Sequence, residues 1–256
     1  NHLNISSIIG FNNTYDKFNH FFEIDKFTCL KKIIINFEDF GIEIDKSNFK
    51  NKSVKNIIAK NFDGSLKWLE NFKQIKDLYL SFKSYGPKIE NLDYFNVLRN
   101  LQKLEIDCNK VISNIDFLSN CENLKSLSLH RTINNYNSEI DLNNIEVLPT
   151  LKYLEFLEIT NVDDQINLSI IDKCQMIKEL SLDFKPKFQI KHLIGCKNLN
   201  KLNLKIDKSL DVSGINFSSL NGCKNLESIN ILGGQSYNFN GKINSINGIN
   251  ILDNIK

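Results

Sequence analysis

The sequence predicts an α/β repeat solenoid of about nine to ten stacked units, each a short strand with a short α or 3₁₀ return segment. Three observations predict it. An apolar frame returns every two dozen or so residues along the 256-residue chain, the mark of units that bury their apolar faces only against one another. A second set of apolar residues, spaced three apart, leads into most frames, and that spacing lines one face of a tight helical turn. The composition is that of an ordinary folded protein, 41% hydrophobic and 24% charged, and no apolar run approaches the length of a membrane span.

The frame is seen most fully at Leu101-Gln-Lys-Leu104-Glu-Ile106-Asp-Cys-Asn109, which reads L-x-x-L-x-L-x-x-N. Upstream copies are Leu30/Ile33/Ile35, Val54/Ile57/Ala59 and Ile75/Leu78/Leu80. Downstream copies are Leu124/Leu127/Leu129, Leu151/Leu154/Phe156, Ile177/Leu180/Leu182, Leu199/Leu202/Leu204 and Leu226/Ile229/Ile231. At the sixth copy a shifted frame, Leu154/Leu157/Ile159, fits almost as well, and the sequence leaves that register open. Each frame predicts a short strand, its second and third apolar residues facing the core.

The lead-ins predict the return segments. They run Leu66, Leu69, Phe72, Ile75, then Leu92, Phe95, Leu98, Leu101, then Ile115, Leu118, Cys121, Leu124. The pattern resumes at Leu168, Ile171, Cys174, Ile177, at Ile190, Leu193, Cys196, Leu199 and at Phe217, Leu220, Cys223, Leu226. Repeat two is the weakest, with only Ile42, Ile44 and Phe49 before Val54.

These frames resemble the leucine-rich repeat family over residues 18–256. The resemblance implies a curved solenoid, a horseshoe with a parallel β-sheet on the concave face and short α or 3₁₀ segments on the convex face, that binds another protein on its concave sheet, without catalysis. One departure stands out. The asparagine of the family's ladder is clear only at Asn109, its place being taken elsewhere by Phe62, Lys83, Thr132, Lys185, Asp207 and Gly234. Other groups are expected to satisfy the turn backbone. The division expected is an N-terminal flank or cap over 1–26 and a repeat domain over 27–256, with Phe18, Phe21, Ile24 and Phe27 as residues that cap repeat one. Ile243, Ile246, Ile249 and Leu252 open a tenth copy that the chain does not complete, so either continuation in a longer parent protein or a partner covering this end is expected, and a first residue of Asn1 rather than Met points to the former.

The chemistry-bearing residues are sparse. Four of the six cysteines, Cys121, Cys174, Cys196 and Cys223, sit where Phe72, Leu98 and Leu148 sit in other repeats, so they are expected as buried thiols. They fall one per repeat without C-x-x-C pairing, which argues against zinc and for a reducing, cytoplasmic setting. His2, His20, His130 and His192 have no metal spacing. Ser128, His130 and Asp107 form a superficial Ser-His-Asp set with no nucleophile elbow or oxyanion hole to support it. No catalytic, metal or cofactor site is expected. The abundance of Asn, Ile and Lys follows A/T-rich codon usage, so asparagine carries no functional weight here, and the N-x-S/T sequons are expected by chance.

Alternation along the strands assigns the outward residues. On the concave face these are Asp77, Tyr79, Lys103, Glu105, Asp107, Ser128, His130, Tyr153, Glu155, Glu179, Ser181, Asp183, Lys201, Asn203 and Lys205, with Ile34 and Ile58 at the N-terminal end. Its central carboxylates suit a protein partner with a basic surface. The net charge of +2, from 32 basic and 30 acidic residues, disfavours nucleic acid, which requires a basic surplus. No membrane insertion is expected. The alternative function is a recognition segment of a larger enzyme or receptor whose chemistry lies outside this chain.

Overall fold

The computed structural model describes residues 2–4, 26–36, 51–62, 66–82, 93–107, 115–130, 144–160, 168–184, 190–206 and 217–233. Asn109, the expected capping residues Phe18, Phe21 and Ile24, and the tenth copy lie outside them; Phe27, the fourth expected capping residue, lies within them and is 56% exposed. Ten strands form one parallel sheet in chain order: β1 His2–Asn4, β2 Lys32–Asn36, β3 Asn56–Phe62, β4 Asp77–Phe82, β5 Lys103–Asp107, β6 Ser126–His130, β7 Phe156–Ile159, β8 Glu179–Phe184, β9 Lys201–Ile206 and β10 Ser228–Gly233. Nine of them are the nine frames. The tenth, β1, lies in the segment expected as a flank, and its Leu3 pairs in register with Ile33.

Strict register makes the core. Ile57, Leu78, Leu104, Leu127, Leu157, Leu180 and Leu202 form one continuous row through the sheet, each at most 1% exposed. Burying each such side chain stabilises the fold by about 1.5–3 kcal/mol. The row loosens at both ends, where Leu3 and Ile229 are only partly buried.

The three-apart lead-ins form short 3₁₀ segments. Those described are Leu66–Asn71, Asp93–Val97, Asp116–Asn120, Ile145–Thr150, Leu168–Lys173, Ile190–Leu193 and Phe217–Gly222. The apolar residues are themselves the hydrogen-bonding residues: Leu118 N donates to Ile115 O, Cys121 N to Leu118 O and Leu124 N to Cys121 O. Each residue thus buries its side chain and satisfies its amide in the same turn. Segments this short stand only by packing on their neighbours.

The structure corrects the register of the sixth repeat. Leu157 pairs with Leu127 and Ile159 with Leu129, so the shifted frame, beginning at Leu154, is the one adopted. The other frame would have turned Leu157, which is fully buried, toward solvent. Ile145, Leu148, Leu151 and Leu154 are the lead-in that agrees with it, and Leu151, not Leu148, holds the place of Cys121.

Repeat two has a different start. Asn51 takes the place of the apolar lead-in residue and is only 3% exposed. Its amide donates to Phe27 O, and its Oδ1 accepts from the amides of Ser53 and Val54 and from the Ser53 hydroxyl. A polar side chain is tolerated there because its hydrogen-bonding capacity is met. In the same repeat β3 slips register between Ala59 and Phe62, Asn61 adopts φ 53°, and its amide donates to Asn36 Oδ1 at 2.7 Å. That combination is a β-bulge.

The described turns carry an asparagine ladder of their own. Asn100, Asn123, Asn198 and Asn225, each directly before the first residue of its frame, donate to the carbonyls of Lys73, Arg99, Gln175 and Lys197 one repeat earlier, at 2.8–3.2 Å. These are the groups that satisfy the turn backbone, and they are drawn from the residue type whose abundance had been set aside as codon usage.

Gly195 is required by close packing, because a β-carbon there would collide with the carbonyl of Asp172 in the preceding repeat. Gly195→Ala is expected to cost about 1–3 kcal/mol, the range for overpacking, read as a lower urea midpoint. Asn198→Ala is expected to cost about 1 kcal/mol by the same measurement.

Candidate functional site

The sheet has one face on the core and one open face, which no described element covers. Ten strands about 4.8 Å apart make that face about 43 Å long. Its middle row reads Ile34, Ile58, Tyr79, Glu105, Ser128, Glu158, Ser181, Asn203 and Asn230 in strict register. Chemistry changes sharply along it, from two isoleucines and a tyrosine on β2–β4 to a carboxylate on β5.

A groove of about 310 Å³ lies at that change. Ile58 and Tyr79 line it, with Asn56, Asp77, Lys60, Lys103 and Glu105 around them. Lys103 Nζ stands 3.5 Å from Glu105 Oε2, and Asn56 donates to Asp77 at 3.2 Å. Tyr79 is held above its ordinary pKa, chiefly by burial, then by Asp107 and Glu105, while a hydrogen bond with Ser81 works the other way. Its hydroxyl therefore stays protonated and remains a hydrogen-bond donor.

Farther along, polar side chains link strand to strand. Lys201 Nζ meets Glu179 Oε1 at 2.6 Å, Asn203 donates to the same oxygen, and Asn230 donates to Asn203 Oδ1. Asp183 is buried at 6% exposure and pairs in register with Lys205. Ser128 is buried at 3%.

His130 lies beside Asp107 on the neighbouring strand, as its place in the frame predicts. Its ring is engaged by β7 instead, with Nδ1 3.2 Å from Thr160 Oγ1 and Nε2 3.6 Å from Glu158 Oε2. The ring nitrogens that a nucleophilic serine would need are thus turned to other partners. Among the described residues no group of three or more His, Cys, Asp or Glu could hold a metal ion.

The register correction moves two residues expected on this face. Tyr153 and Glu155 fall in the turn before β7, Tyr153 being 54% exposed and Glu155 paired with Lys178 at 3.1 Å. Phe156 and Glu158 occupy the places assigned to them. The three-apart spacing of Ile145, Leu148, Leu151 and Leu154 is the sequence signal that points to this frame. The remaining residues expected here, Asp77, Tyr79, Lys103, Glu105, Asp107, Ser128, His130, Glu179, Ser181, Asp183, Lys201, Asn203 and Lys205, all lie on the open side of their strands.

The four cysteines are buried free thiols. Cys196 Sγ donates to Ile171 O at 3.2 Å and Cys223 Sγ to Leu193 O at 3.3 Å. Burial pushes Cys121, Cys174 and Cys196 up to about 12 and Cys223 up to about 11.

No protein-family model and no curated protein matches the sequence. Solved structures match the fold. An internalin (InlF) from Listeria monocytogenes aligns with a TM-score of 0.55 at 14% identity, covering 88% of this chain and 68% of its own. A leucine-rich repeat protein of Leptospira interrogans gives 0.55 at 17%, covering 81% of this chain and 50% of its own. TLR13, solved in complex with the single-stranded RNA ssRNA13, gives 0.57 at 18%, covering 84% of this chain and 34% of its own. The chain has the leucine-rich repeat solenoid fold.

The thiols supply a pH test. Their pKa values lie above the ordinary 9.0, so the folded chain holds these protons more tightly than the unfolded chain does. The associated stability is complete below about pH 9 and is lost as pH rises through 11–12. The urea midpoint is expected to fall over that window. Iodoacetamide at neutral pH is expected to modify the exposed Cys29 and spare the four buried thiols until the chain is unfolded.

Proposed function

We propose that the chain is a non-catalytic interaction module that binds a partner protein through the open face of its sheet. The observation that carries this is the groove where Ile58 and Tyr79 give way to Asp77 and Glu105. It joins an apolar, aromatic floor to a rim of both charges, Asp77 and Glu105 with Lys60 and Lys103, the make-up of a hot spot for an apolar side chain flanked by polar or charged ones. The face is also large enough. At about 43 Å by five residues of strand it offers roughly 700 Å², close to one partner's share of a standard interface.

The partner expected has a basic surface. Glu105, Asp107, Glu158 and Glu179 on the open side, two of them offset by Lys103 and Lys201, disfavour nucleic acid on this face. TLR13 was solved with RNA, so the fold itself does not forbid such a ligand; the charges on this face weigh against it here. Among the described residues no helix is long and apolar enough to cross a membrane. The buried thiols fit a reducing, cytoplasmic setting.

A second reading treats the chain as the recognition segment of a larger enzyme or receptor. It is favoured by coverage: the chain spans half of the Leptospira protein and about a third of TLR13.

The test compares binding partners recovered by three forms of the chain. Tyr79→Ala with Glu105→Lys is expected to weaken the specific partner about thirtyfold, the effect of losing roughly 2 kcal/mol at a hot spot. Ser119→Lys, on the convex side, is expected to leave it unchanged. Equal retention by all three forms would remove the open face from consideration.

A further inference from the structure

Two rows of residues outside the open face stand out once the frames are aligned. One is the residue two places before each frame's first apolar residue, in the turn. The other is the residue directly after it, where the chain enters the strand. The first row carries Lys52, Lys73, Arg99, Lys152, Lys197 and Lys224, and the second carries Lys31, Lys55, Lys76, Lys125 and Lys178. Of the eighteen residues in the two rows, eleven are therefore basic and three, Glu122, Glu155 and Glu227, are acidic. That is a surplus of eight positive charges along one edge of a chain whose net charge is +2. Ten of the eleven basic side chains are exposed and Lys76 is half-buried.

The backbone holds these rows together. Lys55 N donates to Lys31 O, Lys76 N to Lys55 O, Gln102 N to Lys76 O and Lys125 N to Gln102 O, and the pattern continues through Lys178 to Glu227. The turn row is pinned by the asparagine ladder, whose amides bind the carbonyls of Lys73, Arg99, Gln175 and Lys197. Successive basic residues within a row stand one or two strands apart, about 5–10 Å at the strand spacing and within a Debye length of about 10 Å, so their fields add. Between the rows, in consecutive repeats, Tyr153 and Met176 take the place of ladder asparagines and are 54% and 42% exposed.

We propose that this edge docks on an anionic lipid bilayer surface. Lysine is a compact, hydrated point charge, suited to a diffuse field of headgroups, whereas bidentate recognition of single phosphates favours arginine, of which this edge has one. Tyr153 and Met176 lie amid the charge, where an aromatic and a flexible apolar side chain reach the interfacial layer. A single-stranded nucleic acid calls for a succession of stacking platforms, and Tyr153 is the one aromatic residue in the two basic rows and the ladder row between them, among the described residues. The ladder amides are committed to backbone carbonyls and cannot read bases. The edge runs along the strand entries while the groove opens on the sheet face, so bilayer docking leaves the proposed protein site accessible.

The test is co-sedimentation of the full 256-residue chain with vesicles. Expected is binding to phosphatidylserine-containing vesicles, none to pure phosphatidylcholine, and release by high salt. The quadruple variant Lys73→Gln, Lys125→Gln, Lys152→Gln, Lys197→Gln is expected to bind more weakly by about fivefold per lysine, with an unchanged thermal midpoint because all four side chains are exposed. Tyr153→Ser with Met176→Ser is expected to leave a purely salt-sensitive residue of binding. Tyr79→Ala is expected to bind vesicles as the parent chain does, which separates this edge from the open face. Equal binding to neutral vesicles, full binding by the quadruple variant, or displacement from vesicles by polyuridylate at matched anionic charge would overturn the proposal, the last assigning the edge to nucleic acid.

Discussion

The structure depends on one constraint: the apolar residues of each strand must stand level with those of the next. A repeat of two dozen residues buries too little to fold alone. Stacked in register, the row from Ile57 to Leu202 becomes a continuous apolar column, and both faces of every internal repeat are covered. A slip of one residue anywhere would turn a whole strand's apolar set to solvent. That is why the sixth repeat rejects the Leu151 frame despite its acceptable pattern, and why the end strands, with a neighbour on one side among the described residues, hold Leu3 and Ile229 less deeply.

Once the column is fixed, the rest of each repeat is divided among three surfaces with different tasks. The 3₁₀ segments close the column from behind. The alternate strand residues pave an open face where isoleucine, tyrosine and carboxylate meet around a groove. The turn and strand-entry residues form an edge where lysines align. The same repetition that makes the fold stable makes any bias at one position of the repeat into a stripe along the molecule, which is how a chain of nearly balanced charge comes to carry a concentrated basic edge.

Several features were legible in the residues. The L-x-x-L-x-L frames gave nine strands, and the three-apart lead-ins gave the 3₁₀ turns, because both patterns are periodic burial written along the chain. The cysteines were legible as buried thiols because they interchange with Phe72 and Leu98. Other features were masked. Asn100, Asn123, Asn198 and Asn225 were hidden by the abundance of asparagine, so a ladder displaced from the family's usual place could not be told from codon usage until each amide was seen on its carbonyl. Asn51 was hidden for the opposite reason, since a polar residue at an apolar position reads as a lost repeat until its partners are known. β1 was too short to register as a frame.

The sequence by itself determined the solenoid, its repeat length, which residues of the other eight frames face inward, and the buried state of the thiols, because each of these follows from local spacing of apolar side chains. Only the tertiary structure decided the register of the sixth repeat, the groove between Ile58, Tyr79 and Glu105, and the alignment of lysines along one edge. Those depend on which residues of different repeats come to lie side by side, and that pairing is set by the packing of the column as a whole, which no single repeat encodes.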